Sequence, residues 1–315
     1  MRHNTRFLVR LALGLVLMAS WATAGQKSMR PSPPVPPKAA TAADTNLVKA
    51  RWRVLGAHPL AMFYYASDSV GLASLKAHAG AMTLLSPQGF YIDAEGFVRG
   101  QITAEVLGVA RHSNLPLMPL LANPGFDRSI AHALLHDTKA EERAVRYLAY
   151  LAKRDNFVGW QLDIENIDPD DKLDYVNFVE RVAARLHRDQ RLLSVAVVPR
   201  FSDDFPDNPS AGFHTGEWGA SFDYSALGRV ADFVTLMAYD QHSPLTPPGP
   251  VAGYDWVKAA LDYAVDRVPS SKLVLGMPFY GRAWTETSEG AKSQSLMFKD
   301  LKSFRESEGG EPHLG

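Results

Sequence analysis

Cysteine is absent from this 315-residue sequence, which excludes several kinds of chemistry. Without a thiol the chain has no disulfide, no thiolate metal site, no cysteine nucleophile and no lipid-modified cysteine anchor. No G-x-G-x-x-G or G-x-x-x-x-G-K segment is present to cradle nucleotide phosphates. We therefore expect no cofactor and a fold held by a large apolar core.

A strong excess of either charge is also missing, since 33 Lys and Arg face 34 Asp and Glu. A net charge of −1 creates no field that would attract nucleic acid or an anionic membrane surface. No basic stripe is interleaved with aromatics, as nucleic-acid binding would require. The composition favours a neutral partner, such as a polysaccharide, and indicates nothing about oligomeric state.

Long hydrophobic runs are lacking as well, even at the N-terminus. Three arginines in the first ten residues precede an apolar stretch at 11–19, and Ala22-Thr23-Ala24 follows as a small-x-small cleavage signal. The stretch is shorter than the roughly 20 residues that a membrane span needs. Residues 1–24 are therefore predicted to be a signal peptide, which implies a secreted protein, whether periplasmic, wall-associated or extracellular, without a span after cleavage.

The remaining chain divides in two by composition. Residues 25–58 form a proline-rich leader, and the run at 30–38 predicts an extended polyproline-type spacer. In residues 59–315, apolar runs of strand length alternate with amphipathic helical patterns, which predicts parallel strands joined by helices. The predicted strands are 61–67, 81–86, 117–122, 158–165, 192–199, 233–239 and 273–280. The predicted helices are 70–78, 104–112, 139–153, 172–188 (capped by Asp170) and 256–267.

Seven such strands suit an α/β fold, either an open doubly wound sheet or a (β/α)8 TIM barrel. A closed barrel needs eight strands, and no further apolar run follows Tyr280. The loop chemistry described next favours a barrel whose sequence stops before its eighth strand.

The segment from Val158 to Glu165 carries the most chemical information. Alternate side chains share one face of a strand, so Gln161, Asp163 and Glu165 point one way and the intervening apolar residues point toward the helices. Burying adjacent carboxylates costs free energy and moves their pKa values apart, so that one can stay protonated near neutral pH. The alternative is that these acids only cap a helix or form ion pairs at the barrel rim.

With Gly159, Asp163 and Glu165 in place, the segment resembles the strand-four pattern D-G-x-x-x-D-x-E of the family 18 glycoside hydrolases. Met237-Ala238-Tyr239-Asp240 and the run from Gly276 to Trp284 resemble the sixth and seventh strands of that family, in order. The similarity covers most of residues 60–284. It is strongest to the bacterial branch of spore-cortex and peptidoglycan N-acetylglucosaminidases, in which the middle Asp is often an amide, as at Gln161.

The resemblance implies retaining, substrate-assisted hydrolysis of β-1,4-linked N-acetylglucosamine polymers, with no cofactor and no metal. Glu165 would be the general acid and then the general base. Asp163 would orient the substrate acetamide and Tyr239 would donate a hydrogen bond to its oxygen. The implied substrate-binding residues are Gln161, Asp240, Met237, Tyr65, Tyr280 and Trp284.

Two departures from the family pattern keep rival interpretations open. Val158 stands where the family has its leading Asp, and the eighth strand with its sugar-site Trp is not visible. A non-catalytic chitin- or peptidoglycan-binding lectin on the same fold is the main alternative, although such relatives commonly lose the acid that Glu165 retains. A metal-dependent polysaccharide deacetylase is less consistent, because the ten histidines are scattered and His132, His136, His112 and His187 suit solvated helix positions.

Overall fold

The computed structural model describes residues 54–56, 60–66, 69–204, 213, 216–244, 246–287 and 290–308. The predicted signal peptide and the proline-rich run lie outside the described residues. Among the residues described, no helix combines the length and apolar character needed to cross a bilayer.

A parallel sheet of seven strands forms the centre of the fold. Neighbouring strands pair in the order β1-β2-β4-β5-β6-β7-β8, and the short β3 adds to β2 in antiparallel fashion. This is the order of consecutive strands around a (β/α)8 barrel. The strands are β1 Met62–Tyr65, β2 Leu84–Ile92, β3 Val98–Gly100, β4 Leu120–Ala122, β5 Gly159–Asp163, β6 Leu192–Val197, β7 Phe233–Leu236 and β8 Leu273–Leu275.

Helices connect these strands, which confirms the predicted α/β class. The helices between the strands pack apolar faces on the sheet and turn charged faces to solvent, whereas the last helix has no buried residue. They are α1 Ser69–His78, α2 Ala104–His112, α3 Arg128–His136, α4 Thr138–Arg154, α5 Lys172–Arg188, α6 Gly216–Ala220, α7 Tyr224–Val230, α8 Tyr254–Val265 and α9 Leu301–Glu308. All seven predicted strands and all five predicted helices are present, with shifts at their ends.

The last predicted strand, 273–280, is corrected by the structure. It ends at Leu275, and Tyr280 begins a separate antiparallel hairpin of β9 Tyr280–Thr287 and β10 Gly290–Met297. Within the described residues no further parallel strand joins β8 to β1. The apolar run could not reveal the break, because both pieces have extended backbone.

Helix α5 shows a second correction. Its N-cap is Asp171 rather than Asp170, and Asp168 caps the preceding short turn Pro169–Asp171. Leu173, which the helical pattern placed on the apolar face, is exposed. The buried face instead carries Tyr175, Val176, Phe178, Val179 and Val182.

Candidate active site

Strand β5 alternates as predicted, with its apolar side chains facing the helices. Trp160, Leu162 and Ile164 are fully buried in the core between the sheet and the helices. Trp160 Nε1 donates a hydrogen bond of 2.9 Å to the carbonyl oxygen of Leu148 in α4. This contact fixes the register of the strand against the helix, and the intervening positions therefore face the inside of the barrel.

A polar layer occupies that inside face. Gln161 pairs in register with Ser194 of β6, and Tyr64 pairs with Ser86 of β2. Gln161, Ser86 and Ser194 are fully buried, and Gln161 Nε2 donates to the Tyr64 hydroxyl at 3.0 Å. Burial and the nearby Asp163 carboxylate both raise the pKa of Tyr64, so its hydroxyl keeps its proton.

The two predicted acids lie next to this layer, at the carboxyl end of β5. Asp163 is buried and Glu165 is partly buried, and their side chains are hydrogen-bonded to each other. Burial raises the pKa of Asp163 to about 7. Burial, and then the Asp163 charge, raises the pKa of Glu165 well above its usual range. The pair can therefore hold a proton near neutral pH, as a general acid requires.

Asn123, at the carboxyl end of β4, holds the main chain of Glu165. Its Oδ1 accepts from the Glu165 backbone N–H at 3.0 Å, and its Nδ2 donates to the Glu165 carbonyl oxygen at 3.1 Å. The next residue, Asn166, turns the chain with a φ of 54°. Glu165 thus sits on a backbone that is fixed from both sides.

The carboxylate of Glu165 has a partner from another element. Trp218 Nε1 on α6 donates to Glu165 Oε2 at 2.8 Å. The indole packs edge-on against Phe126, with ring centroids 6.3 Å apart. This hydrogen bond favours the ionised form and opposes the effect of burial on the pKa of Glu165.

Tyr239 lies beside the acids, after the end of β7. Burial raises its pKa, and the nearby Tyr64, Asp163 and Glu165 raise it further, so its hydroxyl remains a donor. A Cβ on Gly276 would lie 2.8 Å from the Tyr239 ring. Only glycine leaves room there for the tyrosine.

Asp240 lies at the rim, next to Tyr239, with a φ of 62°. Arg282 of β9 donates to Asp240 Oδ1 at 2.6 Å, although the arginine side chain is only 5% exposed. Tyr280 also hydrogen-bonds Asp240, packs edge-on against Tyr239 and, mainly through burial, has a raised pKa. The hairpin is therefore attached to the acidic site through Asp240.

The structure places the other predicted residues differently. Met237 is buried, and Trp284 is partly buried, with its Nε1 enclosed and without an acceptor among the described residues. Tyr65 lies in the core between sheet and helices, so it does not face the acids. Its neighbour Tyr64 faces the acids instead. The sequence alone could not show which of these two adjacent tyrosines points into the barrel.

Val158 packs below the polar layer in an apolar cluster with Leu84, Met118, Leu192 and Phe233. No carboxylate could be buried in this cluster without a partner. Val158 thus contributes to an apolar cluster at the position where the family pattern has an acid.

Several site residues were not found from the sequence: Tyr64, Ser86, Asn123, Ser194, Trp218 and Arg282. The sequence did hold a sign of Ser86 and Ser194, since each is a polar residue within an otherwise apolar strand. No local pattern indicated Trp218 or Asn123, because they lie 53 and 42 residues from Glu165 along the chain. Among the described residues, one group has the spacing of metal ligands (His132, His136 and Asp171), and it includes neither Asp163 nor Glu165.

Comparison with known proteins agrees with this geometry. The family model of the glycosyl hydrolases family 18 matches residues 107–311. The uncharacterized glycosylase YvbX of Bacillus subtilis is 27% identical over 246 residues, 76% of this chain and 69% of YvbX. The cortical fragment-lytic enzyme of the same organism is 27% identical over 207 residues, 65% of this chain and 46% of that protein.

Among solved structures, a chitinase from Chromobacterium violaceum superposes with a TM-score of 0.73 at 27% identity. The match covers 81% of this chain and 78% of the chitinase. This chain spans less than half the length of the cortical fragment-lytic enzyme, so that protein's activity belongs to a larger molecule.

Proposed function

The chain belongs to the glycosyl hydrolases family 18, and from that premise we propose that it hydrolyses β-1,4-linked N-acetylglucosamine polymers. The observation that carries the proposal is the hydrogen-bonded pair of the buried Asp163 and the partly buried Glu165 at the carboxyl end of a parallel strand. Peptidoglycan and chitin both present the required linkage. The name of the cortical fragment-lytic enzyme points to peptidoglycan, and the name of the Chromobacterium violaceum chitinase points to chitin.

Glu165 is proposed as the proton donor and acceptor. In the first step its proton moves to the glycosidic oxygen while the bond from that oxygen to C1 breaks. The carbonyl oxygen of the substrate's own acetamide bonds to C1, which makes the mechanism substrate-assisted. Glu165, now ionised, then takes a proton from the water that attacks C1, while the bond from C1 to the acetamide oxygen breaks. Two successive displacements at C1 retain the configuration.

Asp163 is proposed to orient the acetamide. The Asp163 side chain is hydrogen-bonded to Glu165. Its Oδ1 is nevertheless buried without a hydrogen-bond donor among the described residues. An acetamide N–H would satisfy that oxygen, and the carboxylate would stabilise the positive charge of the cyclic intermediate. Tyr239, held protonated by its surroundings, would donate to the acetamide oxygen.

Further contacts with the sugar are proposed from the rim. Trp284 offers an enclosed N–H without an acceptor in the described part of the chain, and Tyr280 offers a ring beside Tyr239. Asp240, Met237 and Gln161 would shape the rest of the subsite. For Tyr65 the buried position favours a packing role, and we assign the binding position to Tyr64.

The setting of the enzyme is part of the proposal. A signal peptide at 1–24, a spacer at 25–58 and a hydrolase domain at 59–315 would deliver the activity outside the cytoplasm. Chitin and peptidoglycan, the two proposed substrate polymers, also lie outside the cytoplasm.

The test compares the protein with Glu165→Gln on N-acetylglucosamine oligomers and on purified peptidoglycan, with products identified by mass spectrometry. We expect the variant to lose about 10²- to 10⁴-fold in rate, the contribution of a positioned general acid. Glu180→Gln, on the exposed face of α5, is the matched control and should keep full activity. Sugar binding without cleavage by both the unaltered protein and Glu165→Gln would instead favour a lectin.

A further inference from the structure

Two histidines on α3 lie one helical turn apart, away from the acidic site. His132 and His136 occupy positions i and i+4 and therefore share one face of the helix. Their ring centroids are 4.3 Å apart, and about half of each side chain is exposed. An H-x-x-x-H pair on a helix is a common arrangement for two ligands of one metal ion.

A buried carboxylate from another element lies against both rings. Asp171 precedes α5, and its side chain is only 4% exposed. Its Oδ2 lies 2.8 Å from His132 Nδ1, and its Oδ1 lies 2.9 Å from His136 Nε2. Although Asp171 is the N-cap residue of α5, its side chain makes no capping hydrogen bond. Both carboxylate oxygens are thus directed at the histidines.

We propose that His132, His136 and Asp171 bind a divalent transition-metal ion, with Zn²⁺ as the ion to test. One ligand atom from each residue lies within 4.8 Å of the other two. Two imidazoles and a carboxylate form a ligand set that Zn²⁺ uses in proteins, with water in the fourth position. Asp174 Oδ2, 3.9 Å from His136 Nε2, adds negative charge beside the site.

Binding would need only a small rearrangement. Ligands of a tetrahedral zinc lie about 3.4 Å apart for bonds of about 2.1 Å, so the present hydrogen-bonded distances must open by about half an ångström. The exposed histidine side chains can rotate outward by this amount while Asp171 stays in place. The metal would take the nitrogen lone pairs, and the imidazoles would bind in their neutral form.

The location indicates what the metal would do. It would join α3 to the beginning of α5, two helices that contact each other. Its effect would be to hold these elements together, because its ligands are not part of the acidic site. The inference is therefore independent of the proposed function.

The experiment titrates ZnCl₂ into the purified protein, prepared without a polyhistidine tag and stripped with a chelator, and follows binding by calorimetry and Tm. We expect one equivalent to bind and to raise Tm. His136→Gln can still donate a hydrogen bond to Asp171 but offers a poor ligand, so its affinity should fall by at least about 10- to 100-fold. His132→Ala should weaken binding to a similar extent.

The matched control is His187→Ala. His187 Nε2 contacts Asp232 at 2.8 Å, a single His–Asp pair, so its loss should leave zinc affinity unchanged. Failure of the unaltered protein to bind ZnCl₂, or binding by His136→Gln and His132→Ala as tight as that of the unaltered protein, would overturn the proposal. Circular dichroism would show that both variants are folded, and neither outcome depends on hydrolysis.

Discussion

At the scale of single residues, the charge state of Glu165 results from two opposed influences. Burial and the Asp163 carboxylate favour the protonated form, and the Trp218 N–H favours the ionised form. The first influences prevail, because desolvation of a carboxylate outweighs one hydrogen bond. Trp218 therefore adjusts the pKa of the acid from outside strand β5.

Trp218→Phe should move the alkaline limb of the pH–rate profile to higher pH. The variant keeps an aromatic ring against Phe126 but loses the donor to Glu165 Oε2, so the acid would stay protonated longer as pH rises. The size of the effect should correspond to one hydrogen bond, about 1 kcal/mol. The measurement is kcat/KM against pH on a soluble N-acetylglucosamine oligomer.

Phe126→Leu is the control for this prediction, since it removes the ring contact and keeps the Trp218 hydrogen bond. Its alkaline limb should match that of the unaltered protein. A Trp218→Phe profile lowered uniformly at every pH, without a shift of the limb, would show that Trp218 acts through packing alone.

At the scale of elements, the site depends on how closely β5 approaches β6. Gly159 begins β5 opposite Leu192, and a Cβ added there would lie only 2.1 Å from the Leu192 carbonyl oxygen and 2.8 Å from Met118 Cε. The Leu192 carbonyl belongs to the backbone of a paired strand, so it cannot move aside for an added Cβ as a flexible side chain could. The glycine therefore sets the distance between two strands that carry the polar layer.

Gly159→Ala should lower the free energy of unfolding by about 1–3 kcal/mol, the usual cost of overpacking a close contact. Urea denaturation followed by circular dichroism would measure it. Gly108→Ala in α2 is the matched control, since a Cβ there meets nothing within 4 Å and alanine suits a helix better. Equal stability of both variants would contradict the close-contact argument.

At the scale of the whole molecule, the buried acids link stability to pH. An acid with a higher pKa in the folded than in the unfolded chain binds more protons when folded, at any pH between the two values. Stability then falls as pH rises through that window. For Asp163 the window runs from its ordinary value of 3.8 to about 7.

We expect the unaltered protein to lose up to a few kcal/mol more stability than Asp163→Asn between pH 4 and pH 7. Asparagine does not titrate, so the difference between the two proteins reports the proton that Asp163 binds together with the effect of its charge on the pKa of Glu165. Urea midpoints at several pH values would provide the comparison. Parallel pH dependence in both proteins would mean that Asp163 keeps an ordinary pKa.

Much of the fold was predictable because its signals are local. The apolar strands and helices follow from hydrophobic periodicity, and the inward row of Gln161, Asp163 and Glu165 follows from the two-residue repeat of a strand. The break after Leu275 and the role of Asp171 were not predictable. Each depends on which distant element the segment contacts.

The sequence by itself determined the α/β class, the strand with the acids and the family resemblance, because alternation and short motifs are properties of neighbouring residues. Only the tertiary structure decided that Tyr64 rather than Tyr65 faces the acids, that Trp218 reaches Glu165, and that Asp171 lies between two histidines. These pairs are separated by 35 or more residues along the chain or depend on the register of a strand. No local pattern records such distances, since they arise only when helices and strands pack around a common core.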